Sequence, residues 1–197
     1  MKAALAVICT SAIVSGTPLA FATTEAAGRE CNGIHFPEQV QVEGRTLSLN
    51  GLGLRQATIF KVNVYVGALY VASKSSDPAA LLAADAPMML VLHFVRDVGA
   101  SSIASGWDEG FEKRAAKDLP ALKERIATLK NWMADVKAGQ RLTFVVVPGK
   151  GVQVDVNGAA KGTIEGADFT RAFLSIWLGP EPPNAEIKTG LLGGACD

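Results

Sequence analysis

The chain has 197 residues, with 19 basic and 19 acidic side chains and a formal net charge of zero at pH 7. That balance argues against a partner held by bulk electrostatics, such as nucleic acid or an anionic membrane surface. Two histidines and three cysteines, with no C-x-x-C or H-x-x-x-H spacing, leave no metal site, and no pattern calls for a cofactor.

The first residues read as a leader. Met1-Lys2 is a short basic start, AALAVICTSAIV is an apolar run, and Ala20-Phe21-Ala22 fits a small-residue cleavage site. The pattern predicts a secretory signal peptide over 1–22. An uncleaved anchor is the alternative, but Ser, Gly and Pro break the run early. Cys9 lacks a lipobox-like setting, and no later stretch is long and apolar enough to span a bilayer. About 175 residues then remain, enough for one domain with a substantial core.

Residues 23–34 read as a flexible lead-in and 35–194 as one domain. Two cysteines stay in the exported chain, Cys31 and Cys196, near opposite ends. They suggest one disulfide, with two free thiols as the alternative. Val40 and Val42, then Leu47 and Leu49, alternate with polar residues around Glu43-Gly44, which predicts a small hairpin. In Leu49–Val71 a glycine-bracketed turn, 50–53, is expected to deliver Arg55 to a long strand. Its even positions, Phe60 to Tyr70, form an apolar face. Its odd positions place Arg55, Lys61, Asn63 and Tyr65 together, with a gap at Gly67. This predicts a half-buried cleft with polar groups at fixed places.

Asp77-Pro78 opens a short helix. Met88–Val95 is a continuous apolar strand, and its His93 reads as a core residue with one hydrogen bond. A helix is expected from Ser101 to Ala116, carrying Trp107 and Phe111. A clearer one runs over 118–136, where Leu122, Ile126 and Leu129 recur at helical spacing. Strands follow over 142–147, 151–156 and 159–164, the last two joined by the hairpin pair Asn157-Gly158. Helices over 166–178 and 184–192 end the chain, with Asp168 as an N-cap candidate of the first. The order is strands, helices, strands, helices, without regular βαβ alternation. It points to an α+β fold, an antiparallel sheet with helices on one side.

Familiar catalytic patterns are missing. There is no G-x-S-x-G elbow. Gly51-Leu52-Gly53 lacks the third glycine of a dinucleotide fingerprint, and Lys150 of the PGKG turn is not followed by Ser or Thr. Asp108, Glu109 and Glu112 read better as a solvated helix face than as acid–base carboxylates.

Four segments carry a resemblance: LNGLGLR with FKVNVYVGALYV at 49–71, HFVRDV at 93–98, VNGAAKGTIEGADF at 156–169 and AFLSIWLG at 172–179. In this order they resemble the bacterial branch of the chalcone isomerase-like family. The resemblance implies an open-faced β-sandwich, a large antiparallel sheet covered by a layer of helices; the leader read over 1–22, in a chain of this bacterial branch, predicts an exported protein of the periplasm. In that family some plant members close a flavanone ring and others bind fatty acids, both through the arginine that matches Arg55. A guanidinium offers a planar fork suited to a carboxylate or phenolate.

The departures matter equally. Threonines of the active plant enzymes fall on Tyr65 and Ile176, a tyrosine falls near Phe111, and a lysine falls near Ser105. Losing those groups removes donors that would hold a substrate ketone and position water, so chalcone cyclisation is not expected. The ligand-binding candidates are Arg55, Tyr65, Asn63, Trp107, Phe111 and Ile176. Three readings stay open: a non-catalytic binder of an amphipathic, fatty-acid-like molecule; an isomerase or lyase using Arg55 and Tyr65; and a structural or envelope-interaction protein. An open cleft with an unpaired Arg55 favours the first two. A filled cleft with Arg55 bound to an internal carboxylate favours the third.

Overall fold

The computed structural model describes residues 27–115 and 117–196. The leader expected over 1–22 lies outside these residues. Seven strands form one sheet: β3 (Gln39–Val42), β4 (Arg45–Ala57), β5 (Val62–Val71), β6 (Met88–Phe94), β7 (Arg141–Val147), β8 (Gly151–Val156) and β9 (Ala159–Glu165). They lie side by side in chain order and every pair is antiparallel. β1 (Gly28–Cys31) and β2 (Ile34–Pro37) form a separate two-stranded sheet. Helices α1 (Pro78–Ala83), α2 (Ala100–Arg114), α3 (Leu119–Asn131), α4 (Ala167–Leu178) and α5 (Ala185–Leu191) complete the fold. The expected α+β architecture, an antiparallel sheet covered by helices, is what the chain adopts.

Alternation along the strands sorts side chains onto two faces. Leu90, Leu92, Phe94, Leu142, Phe144, Val152 and Val154 join α2, α3 and α4 in the main core. There Trp107, Phe144, Phe173 and Trp177 pack with ring centroids 4.9–5.8 Å apart, in tilted and edge-on geometries that aromatic quadrupoles favour. The opposite face holds a smaller core of Leu47, Leu49, Leu52, Leu54, Val66 and Tyr70 beneath Cys31 and Phe36 of the β1–β2 hairpin. Cys31 and Cys196 are bonded, with their Cα atoms 5.8 Å apart. His93 lies in this second region and accepts a 3.2 Å hydrogen bond from Arg141 Nε at its Nδ1, as a core histidine would.

Local signals hold where the residues have one conformational option. Asp77 caps α1 by accepting from the Ala79 amide, with Pro78 in the first turn. Asn157 and Gly158 both take positive φ in the β8–β9 turn. Four expectations are corrected. Residues 28–34, read as flexible lead-in, are β1, the turn at 32–33 and the first residue of β2. Residues 50–53 are not a turn but the middle of thirteen-residue β4. The chain reverses instead at 58–61, which leaves Ile59 and Phe60 exposed at the hairpin tip rather than on an apolar strand face. Asp168 also does not cap α4. The cap residue is Gly166, and the Asp168 carboxylate pairs with Arg125.

Candidate functional site

The site begins with the glycines of β4. Gly51, Gly53 and Arg55 share the helix-facing side of the strand. A Cβ at Gly53 would run into the Ile187 backbone, and one at Gly51 into the carbonyls of Gly190 and Leu191. Both positions must therefore be bare for α5 to lie directly on the sheet. Asn50 ties this contact down from a bulge: its amide donates to Leu191 O at 2.7 Å and Ser75 O at 3.0 Å, and accepts from the Ser75 amide. At the N-terminal end of α5, Asn184 donates to Leu54 O at 3.0 Å. Where the helix stops, Arg55 is the first side chain on that face with room to extend.

Arg55 stands directly opposite Tyr65 on β5, and Tyr65 stands opposite Phe94 on β6. The row runs across the sheet, with the Tyr65 and Phe94 rings 5.6 Å apart. Beside it the register slips: after Arg55 and Tyr65 the next pair is Gln56 with Asn63, so Val64 is an extra residue. This bulge turns Val64 and Tyr65 toward the helical layer together. It also sends Asn63 away. The Asn63 amide accepts from Gln56 and donates to Asn32 of the β1–β2 turn.

Between the row and the helices lies a cavity of about 650 Å³. Leu92, Phe94, Ile103, Trp107, Ile176 and Leu142 give it apolar walls, and the exposed Ser101, Ser102, Ser105 and Gly106 of α2 form a rim open to solvent. Of the sequence-derived candidates, Arg55, Tyr65, Trp107 and Ile176 line it. Asn63 does not, for the reason given. Phe111 does not either. On α2, Ile103, Trp107, Gly110 and Arg114 share the cavity stripe, and Phe111, one residue out of phase, packs against Phe169 at 5.6 Å in the core. The helical period of that stripe was available in the sequence and picks out Arg114, which the candidate set omits. Trp177, Arg96 and Glu109 were also missed.

The Tyr65 hydroxyl accepts a 3.0 Å hydrogen bond from Trp177 Nε1. Among the described residues its own proton has no acceptor, which leaves it for one in the cavity. Burial pushes the phenol above its ordinary value, against the Trp177 hydrogen bond and the nearby Arg55 and Arg114 charges. The phenol therefore stays neutral at physiological pH and acts as a donor. Arg55 has no hydrogen bond or ion pair among the described residues. The two acids of the wall are drawn outward: Asp97 by Lys137 and the Ala138 amide, Glu109 by Lys113. Both carboxyls are held below the usual range, each first by its lysine. The charge left facing the cavity belongs to Arg55, Arg96 and Arg114. Among the described residues no group of His, Cys, Asp and Glu could hold a metal ion, and no helix is long and apolar enough to cross a membrane.

The sequence model of the chalcone isomerase-like family matches residues 28–193. The chain belongs to that family. No curated protein matches it in sequence. Among solved structures, this chalcone isomerase-like chain is similar to the Arabidopsis thaliana fatty-acid binding protein AtFAP1, with a TM-score of 0.66 and 18% identity over 81% of this chain and 92% of that one. At that identity the likeness speaks for the fold alone.

Proposed function

We propose that this chalcone isomerase-like protein binds an amphipathic small molecule with an anionic head, of the fatty-acid type, and that Arg55 and the Tyr65 hydroxyl hold the head while the apolar walls take the tail. The observation that carries this reading is an arginine with no ion pair among the described residues, at a cavity of about 650 Å³ with apolar walls, within the usual size range of ligand pockets. A half-buried guanidinium so placed is well suited to an anion from outside the chain. AtFAP1 is a fatty-acid binding protein of the same fold, which supports the choice of ligand class. The expected leader over 1–22 makes this an exported, periplasmic binder in our reading.

Native mass spectrometry of protein purified from its host, followed by lipid extraction, tests this. An organic acid should accompany the wild type and be lost from Arg55→Ala. No adduct on either, together with a lowered melting temperature for Arg55→Ala, would assign the arginine a structural role instead. An isomerase or lyase is the second reading, favoured by the free proton of Tyr65, which could polarise a ligand carbonyl. A bound acid recovered chemically unchanged speaks for binding alone.

A further inference from the structure

We infer that Arg114 is a second head-group residue, and that the ligand carries a dianionic head, a phosphate monoester or a dicarboxylate, seated between the Arg55 and Arg114 guanidiniums beside the Tyr65 hydroxyl. The inference rests on the binding reading above and narrows its ligand class.

The two arginines come from opposite walls, Arg55 from β4 and Arg114 from the last turn of α2, and both line the cavity. Arg55 is the cross-strand neighbour of Tyr65, and the charges of both arginines act on the Tyr65 hydroxyl. Neither has a carboxylate within 4.0 Å among the described residues. Glu109 and Glu181 act on Arg114 only at longer range, and Glu109 is engaged by Lys113. The Arg114 fork is half anchored. Nη1 donates to Gly110 O at 3.1 Å, while Nε is buried without an acceptor. Burial, more than any neighbour, lowers the Arg114 pKa, and Arg55 pushes it the same way.

A single carboxylate has lone pairs enough to reach two forks, but its one negative charge leaves one of the two guanidiniums lining the cavity unneutralised. A phosphate monoester or a dicarboxylate has oxygens and charge for both. The competing account of Arg114 is a helix-end residue satisfied by Gly110 O, with no part in binding.

The test titrates dodecyl phosphate, decylsuccinate and dodecanoate, all below micelle formation, into the purified protein and into Arg55→Gln, Arg114→Gln and Arg114→Lys. In the wild type one of the dianions should bind at least about tenfold tighter than dodecanoate, the size of an added charge-assisted fork. Which dianion wins tells phosphate from dicarboxylate. Arg114→Gln should erase that preference by weakening the dianions at least about tenfold, with a smaller loss for dodecanoate, and Arg114→Lys, which keeps charge without the fork, should fall between. The Lys variant decides the matter if the Gln variant does not fold. Equal binding of dianions and dodecanoate by the wild type overturns the inference, as does a preference that survives in the Arg114 variants. Dodecanoate bound through Arg55 with no dianion preference leaves the binding reading standing. Binding of none of the three ends both.

Discussion

A phenol that accepts from an indole and faces two guanidiniums has been assigned its protonation state by its surroundings. Tyr65 is held neutral chiefly by burial, and the other tyrosine of the chain, Tyr70, is pushed up to about 12 by burial on the opposite face of the same strand. Both therefore hold their protons more tightly folded than unfolded. Above pH 10 the unfolded chain releases protons that the native chain keeps, so stability is full below pH 10 and falls as pH rises toward about 12. One pKa unit is 1.36 kcal/mol, so Tyr70 alone should account for a loss of roughly 2–3 kcal/mol across that window. Ultraviolet titration of the folded protein should show no phenolate band as pH 10 is passed. A step of normal tyrosine ionisation there would mean that one of the two hydroxyls is solvated and that the cavity end of Tyr65 is wetter than described.

Elements position the site through missing side chains as much as through present ones. Gly53→Ala should cost about 1–3 kcal/mol, because the new methyl meets the Ile187 backbone and must lift α5. Lifting α5 breaks the Asn184 bond to Leu54 O beside Arg55, so ligand affinity should fall along with stability. Gly106→Ala is the control. Its Cβ meets nothing within 4 Å on the exposed side of α2, and alanine should stabilise the helix by up to about 1 kcal/mol. Urea melts giving the two variants the same midpoint would sink the account of the glycines as a seat for α5. Those glycines also show where sequence reasoning stops. Glycine signals both turns and close approach, and the partner that requires the approach, α5, lies more than 130 residues away. The true turn, 58–61, carries no glycine, and Thr58 and Lys61 take positive φ without advertising it. The pairing of Arg55 with Tyr65 was right as a shared face but wrong as to cause, since the face is shared across a hairpin rather than along one strand. Asn63 was lost to the Val64 bulge, which strict alternation cannot foresee. By contrast the α3 stripe, Asp77-Pro78 and Asn157-Gly158 were legible because their rules are local.

At the scale of the whole molecule the two ends of the fold meet. A sheet built by adding neighbours in chain order leaves its first and last elements free to drift, unless something joins them. Here α5 returns to the start of the sheet, packs on β4, and carries the tail across to Cys31 of the β1–β2 hairpin. The bond spans 165 residues. In the chain-entropy model a loop of that size stabilises by about 5 kcal/mol through the unfolded state. Other contacts hold the same parts without it: Arg29 pairs with Glu38 and donates to Leu49 O, and Asn50 holds the end of α5. Replacing both Cys31 and Cys196 by serine should therefore leave a folded protein that melts lower. At about 2–4 °C per kcal/mol for a chain of this size, the drop should be roughly 10–20 °C. Circular dichroism melts of the double variant check the magnitude, and hydrogen exchange checks the place, with β1–β2 and α5 losing protection before β6 and β7. A variant that melts within a degree or two of the wild type would mean that the sheet and α5 contacts close the fold unaided. Lost protection in α5 has a further consequence. Because α5 begins beside Arg55, the double variant should also bind its ligand more weakly, which links a covalent bond on one face of the sheet to the cavity on the other.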